Sequence, residues 1–140
     1  MGIEGFDHYT VRAKDYAVTR RFYEETLGLH TEDRPGASIP AALVFIGGQA
    51  MVHLFQATDD LQAIFGRMTP PDEEAANWAT GRMHHIALRA TGLPAMRERL
   101  TAAGVTYTER TILAMEKHLI VLKDPDGVEL EIQFPSSEVS

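Results

Sequence analysis

The sequence contains no cysteine. This absence excludes both a disulfide framework and a thiolate metal site, so a bound metal ion would be held by nitrogen and oxygen atoms. Because no disulfide needs an oxidising compartment, we expect the protein to be cytoplasmic.

Clusters of basic residues and long apolar runs are also missing. Lys and Arg total 13 against 20 Asp and Glu, which gives a formal net charge of -7, and Arg20 with Arg21 is the only basic pair. A nucleic-acid groove needs clustered positive charge, and a membrane span needs roughly 18 to 20 consecutive apolar residues. We therefore expect neither nucleic acid nor membrane as a partner.

The two halves of the chain repeat each other. A shift of 77 residues aligns the segment DHYTVRA at 7–13 with HHIALRA at 84–90, which pairs His8 with His85. A shift of 78 residues aligns MVHLF at 51–55 with ELEIQ at 129–133, which pairs His53 with Glu131. Four potential metal ligands therefore occupy equivalent positions in the two halves.

The first half begins with a predicted strand and helix. Residues 6–12 alternate in polarity as a strand does. Asp15 is suited to cap a helix and Gly28 to end it. We expect the apolar side of this helix to consist of Val18, Phe22, Tyr23 and Leu27.

The second half shows the same order of elements. Pro94 favours the start of a helix, which would end at Gly104. Strand-like runs follow at about 106–110, 118–123 and 128–134, with a hairpin turn at 124–127. The predicted fold class is α+β, with two tandem βαβββ modules forming a curved mixed sheet around a metal-binding cleft.

The predicted modules span residues 1–56 and 83–140, and residues 57–82 connect them. The connecting stretch is acidic and contains Pro70 and Pro71. A connection of this length is unusual inside a compact domain.

Strand alternation predicts that the four potential ligands lie on one side of their sheets. Each is flanked by apolar residues, and successive side chains of a strand point to opposite faces. If the apolar neighbours pack beneath the helices, His8, His53, His85 and Glu131 project from the other face. His84 would point away from His85 and should not bind the metal.

The chain resembles the vicinal oxygen chelate superfamily, which contains glyoxalase I, methylmalonyl-CoA epimerase, extradiol dioxygenases, and the fosfomycin- and bleomycin-resistance proteins. The resemblance covers essentially the whole chain and rests on DHYTVRAKDYAVTRRFYEETLGL, HHIALRA and LKDPDGVELEI. It implies that the first and last strand of each module supply the metal ligands, which fall on His8, His53, His85 and Glu131. It also implies a homodimer, the common state of small members.

Four protein ligands leave two positions of a six-coordinate divalent ion for adjacent oxygens of a small substrate. Such an ion stabilises an enolate or enediolate, which favours an isomerase, epimerase or lyase. In glyoxalase I a carboxylate would occupy the position of His53, so this site carries a formal charge of +1 rather than 0 and favours anionic oxygen donors. The ligand types do not distinguish Ni, Zn, Co, Mn and Fe.

Two other functions stay open. An extradiol-type Fe(II) dioxygenase would use two His and one carboxylate, which His8, His85 and Glu131 could supply if His53 left the metal. A drug-binding resistance protein without catalysis would need no metal ligands.

Further candidate residues complete the predicted site. Glu131, Glu129 and His118 are the candidate bases, because Glu129 shares the alternating face of Glu131 and His118 can titrate near neutral pH. The predicted substrate pocket contains Phe6, Arg12, Met51, Phe55 and Arg89.

Overall fold

The structure, a computed structural model, describes residues 2, 6, 8–58 and 85–139. The chain divides into two compact units, Met1–Asn77 and Trp78–Ser140, and the division falls inside the predicted connection. Residues 59–82 of that connection and His84 lie outside the described residues. Each unit has a strand, a helix and three strands, so the predicted βαβββ order is confirmed.

The first unit contains strands β1 to β4 and helix α1. Their bounds are β1 Tyr9–Ala13, α1 Tyr16–Arg21, β2 His30–Asp33, β3 Ala41–Ile46 and β4 Gln49–Gln56. The sheet order is β1-β4-β3-β2, with β1 parallel to β4 and the other pairs antiparallel. As predicted, Asp15 caps α1 by accepting a hydrogen bond from the Val18 backbone N–H, and Gly28 follows the helix with a positive φ of 72°.

One face of the first sheet is fully buried, and α1 contacts β4. The π-helical turn Phe22–Thr26 continues α1 and buries Phe22 and Tyr23, as expected from the sequence. The prediction for Val18 was wrong: its side chain is exposed, and Thr19 is buried instead. The buried residues recur at the spacing of one helical face, which consists of Thr19, Phe22, Tyr23 and Thr26. Val18 does not belong to this face, so its side chain points to solvent.

The second unit contains strands β5 to β8 and helix α2. Their bounds are β5 Ile86–Arg89, α2 Leu93–Ala102, β6 Tyr107–Ile112, β7 Lys117–Lys123 and β8 Glu129–Pro135. The sheet order β5-β8-β7-β6 repeats that of the first unit, again with only the first and last strands parallel. Among the described residues, no helix is both long and apolar enough to cross a membrane.

The second unit buries an equivalent face. Leu93 and Leu100 of α2 are fully buried, as are Ile120, Leu130 and Phe134 of the sheet. The predicted turn between β7 and β8 is present. Its Asp124 carboxylate accepts hydrogen bonds from the backbone N–H groups of Asp126 and Val128, which stabilise the turn. This turn sets the register of β8, the strand that carries Glu131.

A carboxylate from the chain end caps helix α2. Gly92 stands at the N-cap and offers no side chain, so the first backbone N–H groups of the helix need another acceptor. Glu138 Oε2 accepts from Gly92 N at 2.8 Å and from Leu93 N at 2.7 Å. The negative charge also lies at the positive end of the helix dipole.

We predict that Glu138→Ala lowers the free energy of unfolding by about 1 to 2 kcal/mol, because two backbone donors lose a charged acceptor. Urea unfolding monitored by circular dichroism measures the change. Ser137→Ala, an exposed change one residue away, is the control. Equal unfolding midpoints for both variants would contradict the capping role.

Candidate metal site

The strand order of each sheet places its candidate ligands on neighbouring strands. In the first sheet Thr10 of β1 is the register partner of His53 on β4. In the second sheet Ala87 of β5 is the register partner of Glu131 on β8. Each of these first-strand partners lies two residues after the candidate histidine of its half. The sequence repeat is therefore also a repeat in strand register.

The candidate ligands lie on the sheet face opposite the buried one, which we call the ligand face. On β4, Val52 and Leu54 are fully buried, so the alternating residue His53 belongs to the ligand face. On β8, Leu130 and Ile132 are buried, so Glu131 belongs to the ligand face of the second sheet. In both units, the alternation of side chains along the strand therefore separates the candidate ligands from the buried core.

His8 and His53 form a close pair in the first unit. Their rings are stacked with centroids 3.7 Å apart and an interplanar angle of 7°. This geometry is that of a ring-stacking contact. Both belong to the first unit, as the βαβββ order predicts.

His85 and Glu131 form the corresponding pair in the second unit. His85 Nε2 lies 3.5 Å from Glu131 Oε2, and the carboxylate is the more buried partner. A charge-assisted hydrogen bond would be shorter, at about 2.7 to 2.9 Å. Two ligand atoms that share one ion with bonds of about 2.1 Å lie roughly 3.0 to 3.4 Å apart. The observed spacing of 3.5 Å is longer than both values, so the two side chains are neighbours without a direct hydrogen bond between them.

The donor set of the two pairs fits a divalent metal. Within the described residues, no group of three or more His, Asp or Glu side chains is assembled into a possible metal site. The fit is therefore one of donor chemistry: His8, His53, His85 and Glu131 comprise three imidazoles and one carboxylate, a set that suits several divalent transition metals.

Glu129, one of the candidate bases, lies on the same face as Glu131. Its register partner is Lys123, and that of Glu131 is Val121, so both carboxylates occupy alternate positions on one face. Glu129 is half-buried. Glu129 therefore lies on the same face as Glu131, where the sequence predicted it.

His118, another candidate base, lies near the start of β7 and on the opposite face from Glu131. Its register partner is Phe134, a residue of the buried face, and the whole residue is only 4% exposed. Thr111 Oγ1 is 2.8 Å from His118 Nδ1. His118 therefore belongs to the core of the second unit.

The second ring nitrogen of His118 faces an ion pair. His118 Nε2 has no hydrogen-bond partner in the part of the chain that the structure describes, and Glu109 Oε2 is 3.4 Å away. Arg97 donates two hydrogen bonds to Glu109, of 2.7 and 3.0 Å, and these bonds hold the pKa of the Glu109 carboxyl below its usual value. This cluster joins α2 to β6 and β7, which is a structural role.

Phe55 lies on the ligand face, but its side chain is buried within its own unit. It is 3% exposed and packs with Ala41, Ile39 and Ala57. The Arg34 guanidinium covers its ring at 4.8 Å from the centroid. Phe55 therefore belongs to a small apolar cluster beneath Arg34, and its pocket role stays a prediction.

The other predicted pocket residues are more accessible. Phe6 is 66% exposed and precedes β1. Met51 and Arg12 are half-buried, and Arg89 is exposed at the end of β5. By strand register, Arg12 is opposite Phe55 and Arg89 is opposite Gln133, so both arginines occupy ligand-face positions.

Sequence reasoning missed two polar neighbours of Glu131. Gln133 Nε2 donates a hydrogen bond of 2.8 Å to Glu131 Oε1, and Lys117 Nζ donates one of 2.8 Å to Gln133 Oε1. Alternation alone could have found Gln133, because it lies two residues after Glu131 on the same strand. Alternation could not have found Lys117, because its contact with Gln133 depends on the register between β7 and β8.

Comparison with known proteins identifies the family. Residues 5–132 match the model of the Glyoxalase/Bleomycin resistance protein/Dioxygenase superfamily. The chain therefore belongs to this superfamily, as the resemblance implied. A comparison with curated protein sequences finds no match.

Several solved structures share the fold. The genomically encoded fosfomycin resistance protein FosX from Listeria monocytogenes has a TM-score of 0.68 at 18% identity, covering 95% of this chain and 94% of that chain. A glyoxylase/bleomycin resistance protein/dioxygenase domain from Frankia sp. EAN1pec has a TM-score of 0.67 at 19% identity, covering 96% and 93%. A point mutant of the Listeria protein, solved with Mn(II) and 1S,2S-dihydroxypropylphosphonic acid, has a TM-score of 0.69 at 18% identity, covering 96% and 94%.

Proposed function

We propose that this protein is a divalent-metal enzyme that isomerises, epimerises or cleaves a small substrate with adjacent oxygen atoms. The proposed ligands are His8, His53, His85 and Glu131. The observation that carries the proposal is that each unit brings two of these potential ligands together, His8 with His53 in the first unit and His85 with Glu131 in the second. The complex of the Listeria relative with Mn(II) and a small dihydroxy phosphonic acid supports both the metal and the substrate class.

The charge of the ligand set determines which substrates suit it. Three neutral imidazoles and one carboxylate leave a divalent ion with a formal charge of +1, so anionic oxygen donors are favoured. When bound, the ion supplies Lewis acidity, which stabilises negative charge on the substrate oxygens. Arg12 and Arg89, on ligand-face positions at the ends of their strands, would bind a carboxylate or a similar anionic group of the substrate.

Glu129 is the base that we propose for this chemistry. Glu131 is committed to the metal and to Gln133, whereas Glu129 stands two residues away on the same face. Its carboxylate would accept the proton from the carbon next to the chelating oxygens and return it to the product. His118 has no part in this step because it belongs to the buried face.

Metal analysis of wild type and His53→Ala tests the function most simply. The protein is purified anaerobically without a metal-affinity tag, and His30→Ala serves as the control because His30 is an exposed histidine of the same unit. We expect about one Ni, Zn, Co or Mn ion per four-ligand set in wild type and control, and loss or weakening in His53→Ala.

Two results would contradict this expectation. Iron in both wild type and His53→Ala, with cleavage of a catechol panel surviving the substitution, would identify an extradiol-type dioxygenase. No metal in any of the three proteins would leave a binding protein without catalysis.

Solvent exchange tests the role of Glu129. In D2O, the wild type should introduce deuterium next to the carbonyl of a hydroxy-ketone or epimerisable acid in a substrate panel. Glu129→Gln should slow this exchange by about 10²- to 10⁴-fold while the bound metal is retained, because the amide cannot accept the proton. Glu98→Gln, an exposed glutamate of α2, is the matched control. Exchange at the wild-type rate in Glu129→Gln would remove Glu129 from the mechanism.

A further inference from the structure

A chain of two hydrogen bonds leads to Glu131 across the second sheet. Lys117 Nζ donates to Gln133 Oε1 at 2.8 Å, and Gln133 Nε2 donates to Glu131 Oε1 at 2.8 Å. We call these three side chains the relay. The residues Lys117 and Gln133 are half-buried, and the relay begins on β7 and ends on β8.

The chemistry of the three groups permits only one order of donors. An ammonium group only donates hydrogen bonds and a carboxylate only accepts them, whereas an amide has one oxygen acceptor and one nitrogen donor. The amide of Gln133 must therefore turn its oxygen to Lys117 and its nitrogen to Glu131. The positive charge on Lys117 fixes that orientation and makes the amide N–H a stronger donor.

The relay contacts one oxygen of Glu131 and leaves the other to His85. Oε1 accepts the bond from Gln133, while Oε2 lies 3.5 Å from His85 Nε2. The two oxygens thus have different neighbours. A carboxylate whose one oxygen is held by a hydrogen bond is directed to bind a metal through the other.

In the first unit an apolar residue stands at the position equivalent to Gln133. The shift of 78 residues that pairs His53 with Glu131 also pairs Phe55 with Gln133. Phe55 has no hydrogen-bonding group in its side chain, and it packs in an apolar cluster. The amide of Gln133 thus stands in the half that has the carboxylate ligand, as expected if its function is to orient a carboxylate.

We infer that Gln133 and Lys117 are positioning residues that make Glu131 a one-oxygen metal ligand through Oε2. This inference rests on the proposed metal-binding function and goes beyond it, because it assigns one oxygen of one ligand and the two residues that select it. By keeping the ligand carboxylate to one coordination position, the relay preserves the two positions that a chelating substrate needs.

The test measures metal binding and carboxylate coordination, and needs no substrate. Metal-free wild type, Gln133→Leu and Lys117→Met are titrated with Mn(II) in a calorimeter, and the carboxylate stretching bands of the loaded proteins are recorded with ¹³C-labelled glutamate. Lys123→Met is the control, since Lys123 is an exposed lysine of the same strand. Thermal unfolding confirms that each variant is folded, and Lys117→Met serves if Gln133→Leu fails to fold.

We expect Gln133→Leu to lower Mn(II) affinity by about 10- to 100-fold with the stoichiometry unchanged. The band separation should change from that of one-oxygen towards two-oxygen coordination, a shift that general destabilisation does not cause. Lys117→Met should give a smaller loss, and Lys123→Met none. Wild-type affinity and bands in Gln133→Leu would overturn the positioning role alone, whereas wild-type protein that binds no Mn(II) would overturn the proposed function with it.

Discussion

The alternation of side chains along the strands is the constraint on which the rest of the structure depends. On β4 and β8 the even-numbered residues Val52, Leu54, Leu130 and Ile132 are buried, so the odd-numbered positions face the other way. The βαβββ order then places the first and last strands of each sheet side by side in parallel. Together these two facts bring one pair of nitrogen or oxygen donors to the ligand face of each unit.

The two halves share this framework but differ in chemistry. The first offers two stacked imidazoles, and Arg34 covers the neighbouring Phe55. The second offers an imidazole and a carboxylate whose orientation depends on Gln133. The two sheets therefore differ at the equivalent positions of Phe55 and Gln133 as well as at those of His53 and Glu131.

Much of this arrangement could be predicted from the sequence, because the repeat and the alternation are both local patterns. Helix caps, turn and strand order followed from residues such as Asp15 and Asp124. The face of His118 could not be predicted because β7 is apolar on both faces, so that Leu119 and Ile120 give no period of two. The bond from Lys117 to Gln133 joins different strands, and a sequence without a known register does not contain that information.

The most direct test of the central claim is a crystal structure of the Mn(II)-loaded protein with anomalous diffraction recorded at the manganese edge. The account predicts a single anomalous peak bonded to His8, His53, His85 and Glu131, with Glu131 bound through Oε2 alone. Separate peaks at the two pairs, or a peak away from all four side chains, would contradict it.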